Sequence, residues 1–259
     1  MKILITGGNG YIARSITKTL WSKYHILAPG KDELDLTDSN SVDAFFRDKY
    51  FDVAIHTAIK GAATPRDPDE TISFWNLVMF YNLVSKKDHF NKLINIGSGA
   101  EKCLIQTPYG YSKSVISKLI HRYDNFHTLR IYGVFSEDEL GTRFIKASIN
   151  NLLQVNPIKI HEDKLMDFIY MKDLISIIEL FMVGSNLPKE VDCVYKDKVK
   201  LSDIAQQINK VSVSKVPINI ENPLLGQNYI GTYSELPIAF IGLEQGIINV
   251  YNKLANAIN

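Results

Sequence analysis

Ser98, Tyr109 and Lys113 are the residues whose types and spacing could do chemistry. Tyr109 and Lys113 stand four apart in the run Tyr109-Gly-Tyr-Ser-Lys113, so on a helix that opens at Tyr109 both side chains share one face. A neighbouring ammonium stabilises a phenolate and draws the tyrosine pKa towards neutrality, which lets the phenol give or take a proton at a carbonyl or hydroxyl. Ser98 directly follows the apolar run Leu93 to Ile96 and can hydrogen-bond the same oxygen. Each piece alone is ordinary, because Tyr-x-x-x-Lys arises by chance and a serine between glycines is common turn chemistry. Tyr111 also lies near Lys113, but its spacing of two turns it away from the lysine's face.

What gives the three residues a context is the start of the chain, where residues 3 to 13 read Ile-Leu-Ile-Thr-Gly-Gly-Asn-Gly-Tyr-Ile-Ala. An apolar strand, a glycine turn and a helix in that order form a site for a pyrophosphate, with Gly7 and Gly10 admitting close approach to backbone N–H groups. Ala13 stands in for a third glycine and still permits close packing of helix on strand. The spacing Gly7-x-x-Gly10-x-x-Ala13 differs from G-x-G-x-x-G, and an ordinary tight turn is the alternative. Behind a nucleotide-binding turn, Tyr109 fits proton transfer that accompanies hydride movement by a nicotinamide.

The elements that must hold these residues follow from the pattern. β-Branched apolar runs recur at Ile26 to Ala28, Val53 to Thr57, Leu93 to Ile96 and Thr128 to Tyr132. Amphipathic stretches separate them, near Tyr11 to Trp21, Ser39 to Asp48, Asp69 to Lys86 and Tyr109 to Tyr123, with Asp38, Ser39 and Asp69 available as caps. Such alternation predicts an α/β fold with a Rossmann-type, doubly wound parallel sheet over residues 1–135. After Gly133 the rhythm changes, with helices expected at Arg143 to Leu153, Met171 to Phe181, Ser202 to Asn209 and Leu243 to Leu254. Strands are expected at Ile158 to Ile160, Phe168 to Tyr170 and Val216 to Ile220. Pro157, Pro188, Pro217, Pro223 and Pro237 punctuate this half without a long linker, so residues 136–259 read as a smaller α/β substrate lobe packed into one compact unit.

Composition narrows the classes. The 259 residues carry 29 Lys+Arg against 28 Asp+Glu, which leaves no charge excess to draw in nucleic acid or an anionic membrane. Two distant cysteines, Cys103 and Cys193, point to no disulfide framework, and no apolar run approaches a membrane span. A cytoplasmic setting is expected, and no metal site is read from the sequence.

These motifs resemble the extended short-chain dehydrogenase/reductases, the NAD-dependent epimerase/dehydratase group that modifies nucleotide sugars. The resemblance rests on Gly7 to Ala13, Glu33-Leu-Asp-Leu-Thr-Asp38, His56-Thr-Ala-Ile59, Asn76, Ser98, Tyr109 and Lys113. It continues through Leu129-Arg-Ile-Tyr-Gly-Val-Phe135, Asp167-Phe-Ile-Tyr-Met-Lys-Asp173 and Leu243-Glu-Gln-Gly-Ile247. It implies that Gly7, Gly10, Tyr11 and Ile12 hold the cofactor's pyrophosphate side, that Asp35 and Leu36 border the adenine, and that Ala58 and Ile59 line the middle. Lys113 would also touch the nicotinamide ribose, Asn76 would position a helix or hold a water, and Arg143 and Phe144 would meet a nucleotide diphosphate. A solvated helix residue is the alternative for Arg143. Homodimers built on two long helices per subunit are a family expectation; Asp69 to Lys86 and Tyr109 to Tyr123 would supply them, with Leu77, Phe80, Tyr81 and Val84 on the first helix fitting an interface or a buried face.

Within that group the run from Lys31 to Asp38, with Phe45-Phe46 and Ala58-Ile-Lys-Gly61 downstream, looks most like GDP-fucose synthases and, more distantly, dTDP-4-dehydrorhamnose reductases, which reduce a 4-keto sugar. The epimerising cysteine and histidine of the former are replaced here by Ala100 and, by a looser alignment, Arg143, so reduction without epimerisation is expected. Two further departures concern the sugar: Ser98 and Tyr109 are only 11 residues apart, and Gly133 stands where an asparagine often holds the substrate's phosphate. The end of the second strand reads Ala28-Pro-Gly-Lys-Asp32, in which Lys31 can pair with a 2′-phosphate and the first carboxylate comes late. That favours NADP(H) over NAD(H), with an exposed turn at Gly30 and Lys31 as the alternative. The sequence thus supports a reductase of nucleotide-linked 4-keto sugars first, a 4-epimerase with tightly held NAD second, and a non-catalytic NAD(P)-binding sensor third.

Overall fold

The computed structural model describes residues 1–63, 65–222 and 226–257, so Pro223 lies outside the described residues. The chain divides into two compact units, one of Met1–Ile131 with Ile177–Val191, the other of Tyr132–Ser176 with the chain from Asp192 onward.

In the first unit, β1 (Lys2–Thr6), α1 (Tyr11–Leu20), β2 (His25–Leu27), α2 (Ser39–Phe46), β3 (Phe51–His56), α3 (Thr71–Val84) and β4 (Phe90–Ser98) follow one another. A short α4 (Ala100–Cys103), then α5 (Pro108–Ile120) and β5 (Phe126–Ile131), complete its main run. The remaining elements are β6 (Val134–Phe135), α6 (Phe144–Leu153), β7 (Ile158–Glu162), β8 (Ile169–Tyr170), α7 (Met171–Val183), β9 (Glu190–Cys193), α8 (Leu201–Lys210), β10 (Ile218–Asn222) and α9 (Leu243–Asn256).

The central sheet has six strands in the order β2-β1-β3-β4-β5-β9. From β2 to β5 every neighbouring pair is parallel. This is the expected Rossmann-type sheet, and its strands are nearly continuous apolar runs because parallel strands bury both faces. The chain steps from β1 outward to β2 and then crosses to β3 on the other side, so the strand order reverses between β1 and β3. Ligands of open parallel sheets bind at such a reversal, beyond the carboxyl ends of the strands. One face carries the in-register row Leu4, Ala54, Leu93 and Phe126, which joins Val42, Phe46, Phe80, Leu83, Ile116 and Ile120 of α2, α3 and α5 in one core. Asp38 caps α2 through the Asn40 N–H, as its position before Ser39 predicts.

β9 escapes a pattern reading, since Glu-Val-Asp-Cys is four residues of mixed polarity. The strand expected at Val216 to Ile220 begins two residues later, at Ile218, because Pro217 has no N–H to give to a ladder. On α3, Phe80 and Val84 are buried in the core, whereas Tyr81, Phe74 and Trp75 are exposed.

The second unit pairs β6 with β8 and β7 with β10, both parallel, around a core of Phe135, Ile149, Ile160, Tyr170, Ile204, Ile208 and Val250. Its irregular stretch from Tyr229 to Gly242 is held by carboxylates. Asp167 accepts the Gly231 N–H, Asp192 the Thr232 N–H, and Asp173 the N–H groups of Ile241 and Gly242. Gly133 is sterically required: a Cβ there would lie 2.7 Å from the Phe168 ring and 3.0 Å from the Asp167 carbonyl. Among the described residues, no helix is long and apolar enough to cross a membrane, and neither cysteine forms a disulfide.

Candidate active site

The glycine turn after β1 is shaped by close approaches that only glycine allows. Gly7 takes φ +70°, and a Cβ on it would lie 2.9 Å from the Ala58 Cα, in the segment that follows β3. Gly8 is tighter still, since a Cβ would come within 2.0 Å of the Ala28 carbonyl, and its N–H donates to the Pro29 carbonyl at 2.9 Å. Gly10 donates to the Gly7 carbonyl at 2.8 Å and caps α1 without a side-chain bond. Tyr11 and Ile12 open the helix, and Ala13, fully buried, seats it on the sheet. A glycine turn at a helix N-terminus on the reversal between β1 and β3 suits the pyrophosphate of a dinucleotide. Gly8, which the spacing Gly7-x-x-Gly10 passes over, is the most constrained of the three.

Past β2, Lys31 extends into solvent with its Nζ 3.5 Å from Asp35 Oδ2. Burial tends to raise the Asp35 carboxyl, but hydrogen bonds from the Thr37 hydroxyl and N–H, with Lys31 nearby, hold it below its usual range. Leu36 is buried in the core beside Val42 and Phe80, and its carbonyl accepts from Asn82.

After β3, Thr57 donates to the Thr6 carbonyl at 2.7 Å and Ala58 N–H to the Thr6 hydroxyl at 3.4 Å, which fixes this segment against the end of β1. The Thr6 hydroxyl and His56 Nδ1 lie 2.9 Å apart. Burial, with the charge of Lys113, holds the His56 imidazole at about 3 and therefore neutral. Asn76 on α3 clamps the next residues: its Oδ1 accepts the Lys60 N–H at 2.8 Å, and its Nδ2 donates to the Lys60 carbonyl and to the Ser112 hydroxyl. A helix-positioning role fits those bonds.

Ser98 is the last residue of β4 and is buried; its hydroxyl accepts the Ala100 N–H at 3.2 Å. α5 starts one residue earlier than expected. Thr107 caps it through the Gly110 N–H, and Pro108 occupies the first turn, where a missing N–H costs nothing. Tyr109 packs with Ile72, Ala100 and Leu104, and Ile59 borders the same cluster. Lys113, one turn on, is buried, and its Nζ donates to the Ile96 carbonyl at 2.5 Å, two residues before Ser98. Burial brings the Lys113 ammonium down to about 8, while the Glu101 carboxylate pulls the other way. Tyr111 is exposed, as its spacing requires. Ser98 thus ends β4, and Tyr109 and Lys113 stand one turn apart at the start of α5, with Lys113 bonded back to β4 and Tyr109 packed on Ala100.

Glu101 and Arg130 belong to the same place and were not singled out from the sequence. Their side chains are 3% and 4% exposed and meet at 2.8 Å. An isolated glutamate in Gly-Ser-Gly-Ala-Glu carries no pattern, and its partner is 29 residues away.

The second unit contains the expected substrate residues. Arg143 caps α6, and Phe144 opens that helix with its ring 6.1 Å from that of Phe168. Glu139, also missed in the sequence, is buried nearby with one carboxylate oxygen unpartnered. Burial pushes its carboxyl up to about 8, against the charges of Arg143 and Lys146. Among the described residues, no three His, Cys, Asp or Glu side chains form a metal-binding group.

The sequence profile of the NAD dependent epimerase/dehydratase family matches residues 3–191, from the first residue of the apolar run in β1 into β9. The chain belongs to this family. A CDP-abequose synthase from Yersinia pseudotuberculosis is 26% identical over 215 residues, covering 72% of this chain and 74% of that one. A GDP-L-fucose synthetase from Naegleria fowleri bound to NADP superposes with a TM-score of 0.80 at 15% identity, over 99% of this chain and 93% of that one. A Thermus thermophilus UDP-glucose 4-epimerase in complex with NAD gives a TM-score of 0.79 at 17% identity, over 99% and 100%. At these identities the structural neighbours bear on the fold. The mixed α/β architecture with its parallel central sheet is what this epimerase/dehydratase chain shares with them.

Proposed function

We propose that this epimerase/dehydratase family member is an NAD(P)H-dependent reductase of a nucleotide-diphosphate-linked 4-keto sugar. The observation that carries the reading is Lys113, buried one turn after Tyr109 and bonded to the Ile96 carbonyl just before Ser98. A buried ammonium at that point has a clear use if Tyr109 is the proton donor, since it stabilises the phenolate left behind. The turn from Gly7 to Ile12 would hold the cofactor's pyrophosphate, Asp35 and Leu36 its adenine side, Ala58 and Ile59 its middle, and Lys113 its nicotinamide ribose. When bound, the reduced nicotinamide supplies hydride. Tyr109 protonates the sugar oxygen on which charge develops, Ser98 orients that oxygen through its hydroxyl, and Lys113 makes Tyr109 a better acid. Arg143 is assigned to the diphosphate, for which a guanidinium has the right fork of donors, and Phe144 to the same ligand.

NADP(H) is the proposed cofactor, because Lys31 is exposed and the Asp35 carboxylate already accepts from Thr37. A homodimer is proposed on α3 and α5, whose exposed aromatic residues Phe74, Trp75, Tyr81 and Tyr111 would be covered. Sedimentation analysis tests it, and a monomer at all concentrations removes it.

The experiment is absorbance at the reduced-nicotinamide band, with NADPH and NADH separately, against GDP-, dTDP-, CDP- and UDP-linked 4-keto-6-deoxy sugars. Oxidation with one member supports the reductase and names its base. Silence with copurifying NAD favours a 4-epimerase, and silence without bound cofactor favours a sensor.

A further inference from the structure

Glu101 stands three residues beyond Ser98, and both of its carboxylate oxygens are in use. Oε1 accepts the Ser98 backbone N–H at 2.8 Å, and Oε2 accepts from Arg130 Nε at 2.8 Å. Gly97 makes the room: a Cβ at that position would lie 2.4 Å from Glu101 Oε1 and 2.6 Å from Thr128 Cγ2. Arg130 continues through Nη2 to Glu190 Oε2 at 2.8 Å and to the Ser117 hydroxyl at 3.4 Å, so β9 and α5 join the same network.

Stability alone is a poor account of this arrangement. Taking a carboxylate and a guanidinium out of water is costly, and well-packed apolar side chains would hold the same elements about as firmly. The Ser98 N–H needs an acceptor where the β4 ladder ends, but a neutral one would serve. The charge itself has a target in Lys113. The titratable groups that interact with that ammonium are Glu101 on α4 and His56 at the end of β3, with Arg130 of β5 behind Glu101 and Tyr109 four residues earlier on the same helix. His56 is neutral and Arg130 is positive, so the negative charge acting on Lys113 comes from Glu101.

We infer that Glu101 is a positioning residue of the active site: its carboxylate, tied to Arg130, fixes Ser98 at the end of β4, the strand whose Ile96 carbonyl holds Lys113. This rests on the reading of Ser98, Tyr109 and Lys113 given above, and the test separates the two. Glu101→Gln and Glu101→Asp are compared with the wild-type chain by three readouts: NADPH affinity, the pH profile of kcat, and titration of the Lys113 Nζ resonance assigned with Lys113→Met. Glu101→Gln is expected to move the Lys113 titration and the alkaline limb of kcat down by about one pH unit, with NADPH affinity within about twofold. Glu101→Asp, which keeps the charge on a shorter arm, should leave the limb in place and lower kcat by about tenfold, because it cannot reach both Ser98 and Arg130. A Lys113 shift in a chain that turns over no sugar upholds the coupling and sinks the reductase. An unmoved resonance and limb in Glu101→Gln overturn the inference, as does wild-type kcat in Glu101→Asp, which suffices alone if the Gln variant does not fold.

Discussion

Gly110 lies between the two tyrosines at the start of α5, and adding one methyl there should separate the proposed catalytic groups. A Cβ on Gly110 would stand 1.9 Å from the Leu104 carbonyl oxygen, 2.5 Å from its carbon and 2.8 Å from the Ala100 carbonyl oxygen. All three are backbone atoms, so none can swing aside. Since Cβ atoms essentially never approach within 3.0 Å of such a neighbour, Gly110→Ala must move α5 away from α4 by about 1.1 Å. A displacement of that size is enough to break the 2.5 Å bond from Lys113 to Ile96 and to loosen Tyr109 from Ala100 and Leu104. Misplacement on the 1 Å scale costs about 10²-fold in rate, or roughly 2.7 kcal/mol of barrier. Overpacking should take a further about 1–3 kcal/mol from stability, at about 2–4 °C of Tm per kcal/mol. The glycine turn is remote from this change, so NADPH affinity should stay within about twofold. Steady-state NADPH oxidation, fluorescence titration of NADPH and thermal unfolding read the three quantities. Wild-type kcat alongside a lowered Tm would show that the seat of α5 on α4 does not position Tyr109, and the reasoning would fail.

Tyr109→Phe should abolish turnover with cofactor affinity nearly unchanged, and retained activity would remove Tyr109 as the proton donor. Ser98→Ala should lower kcat by about 10²-fold or more, whereas a mild effect would leave Ser98 as a turn residue. Lys31→Ala should weaken NADP(H) more than NAD(H) in paired titrations, and equal losses would take away the cofactor preference. Glu139 has its carboxyl raised from 4.5 to about 8 by burial, so the folded chain holds a proton through that window that the unfolded chain releases. Its contribution is present in full below 4.5 and is lost as pH rises to about 8, by a few kcal/mol at most. Glu139→Gln should flatten that slope in thermal unfolding measured across the window, and an unchanged slope would refute the assignment.

The parts of this molecule that a pattern can see are those where one element suffices. Apolar runs such as Ile3 to Ile5 and Leu93 to Ile96 mark strands buried on both faces, and Asp38 before Ser39 marks a helix start. The turn at Gly7 and the pair Tyr109 and Lys113 are legible for the same reason, since their meaning lies in local spacing. What is not legible is decided by atoms that arrive from elsewhere. Gly8 is fixed by Ala28, and Gly133 by Phe168. Glu101 becomes intelligible only beside Arg130 of another strand, and α4 is too short to show a period. The Thr107 cap was within reach, because threonine before proline is a recognisable helix start.

The stretch from Tyr229 to Gly242 is tethered by Asp167, Asp173 and Asp192 through the N–H groups of Gly231, Thr232, Ile241 and Gly242, with the rings of Tyr229 and Phe240 packed on Tyr132 and Tyr195 at its two ends. A backbone N–H is a handle that every residue type except proline offers, but Gly231, whose Cβ would lie 2.5 Å from the Tyr132 ring, and Gly242, at φ +87°, are held to glycine. The anchoring is therefore indifferent to most of what is written from Tyr233 to Ala239. Those positions can be rewritten in evolution or in the laboratory, and the path of the chain will hold as long as the three aspartates, the two glycines and the two packed rings stay.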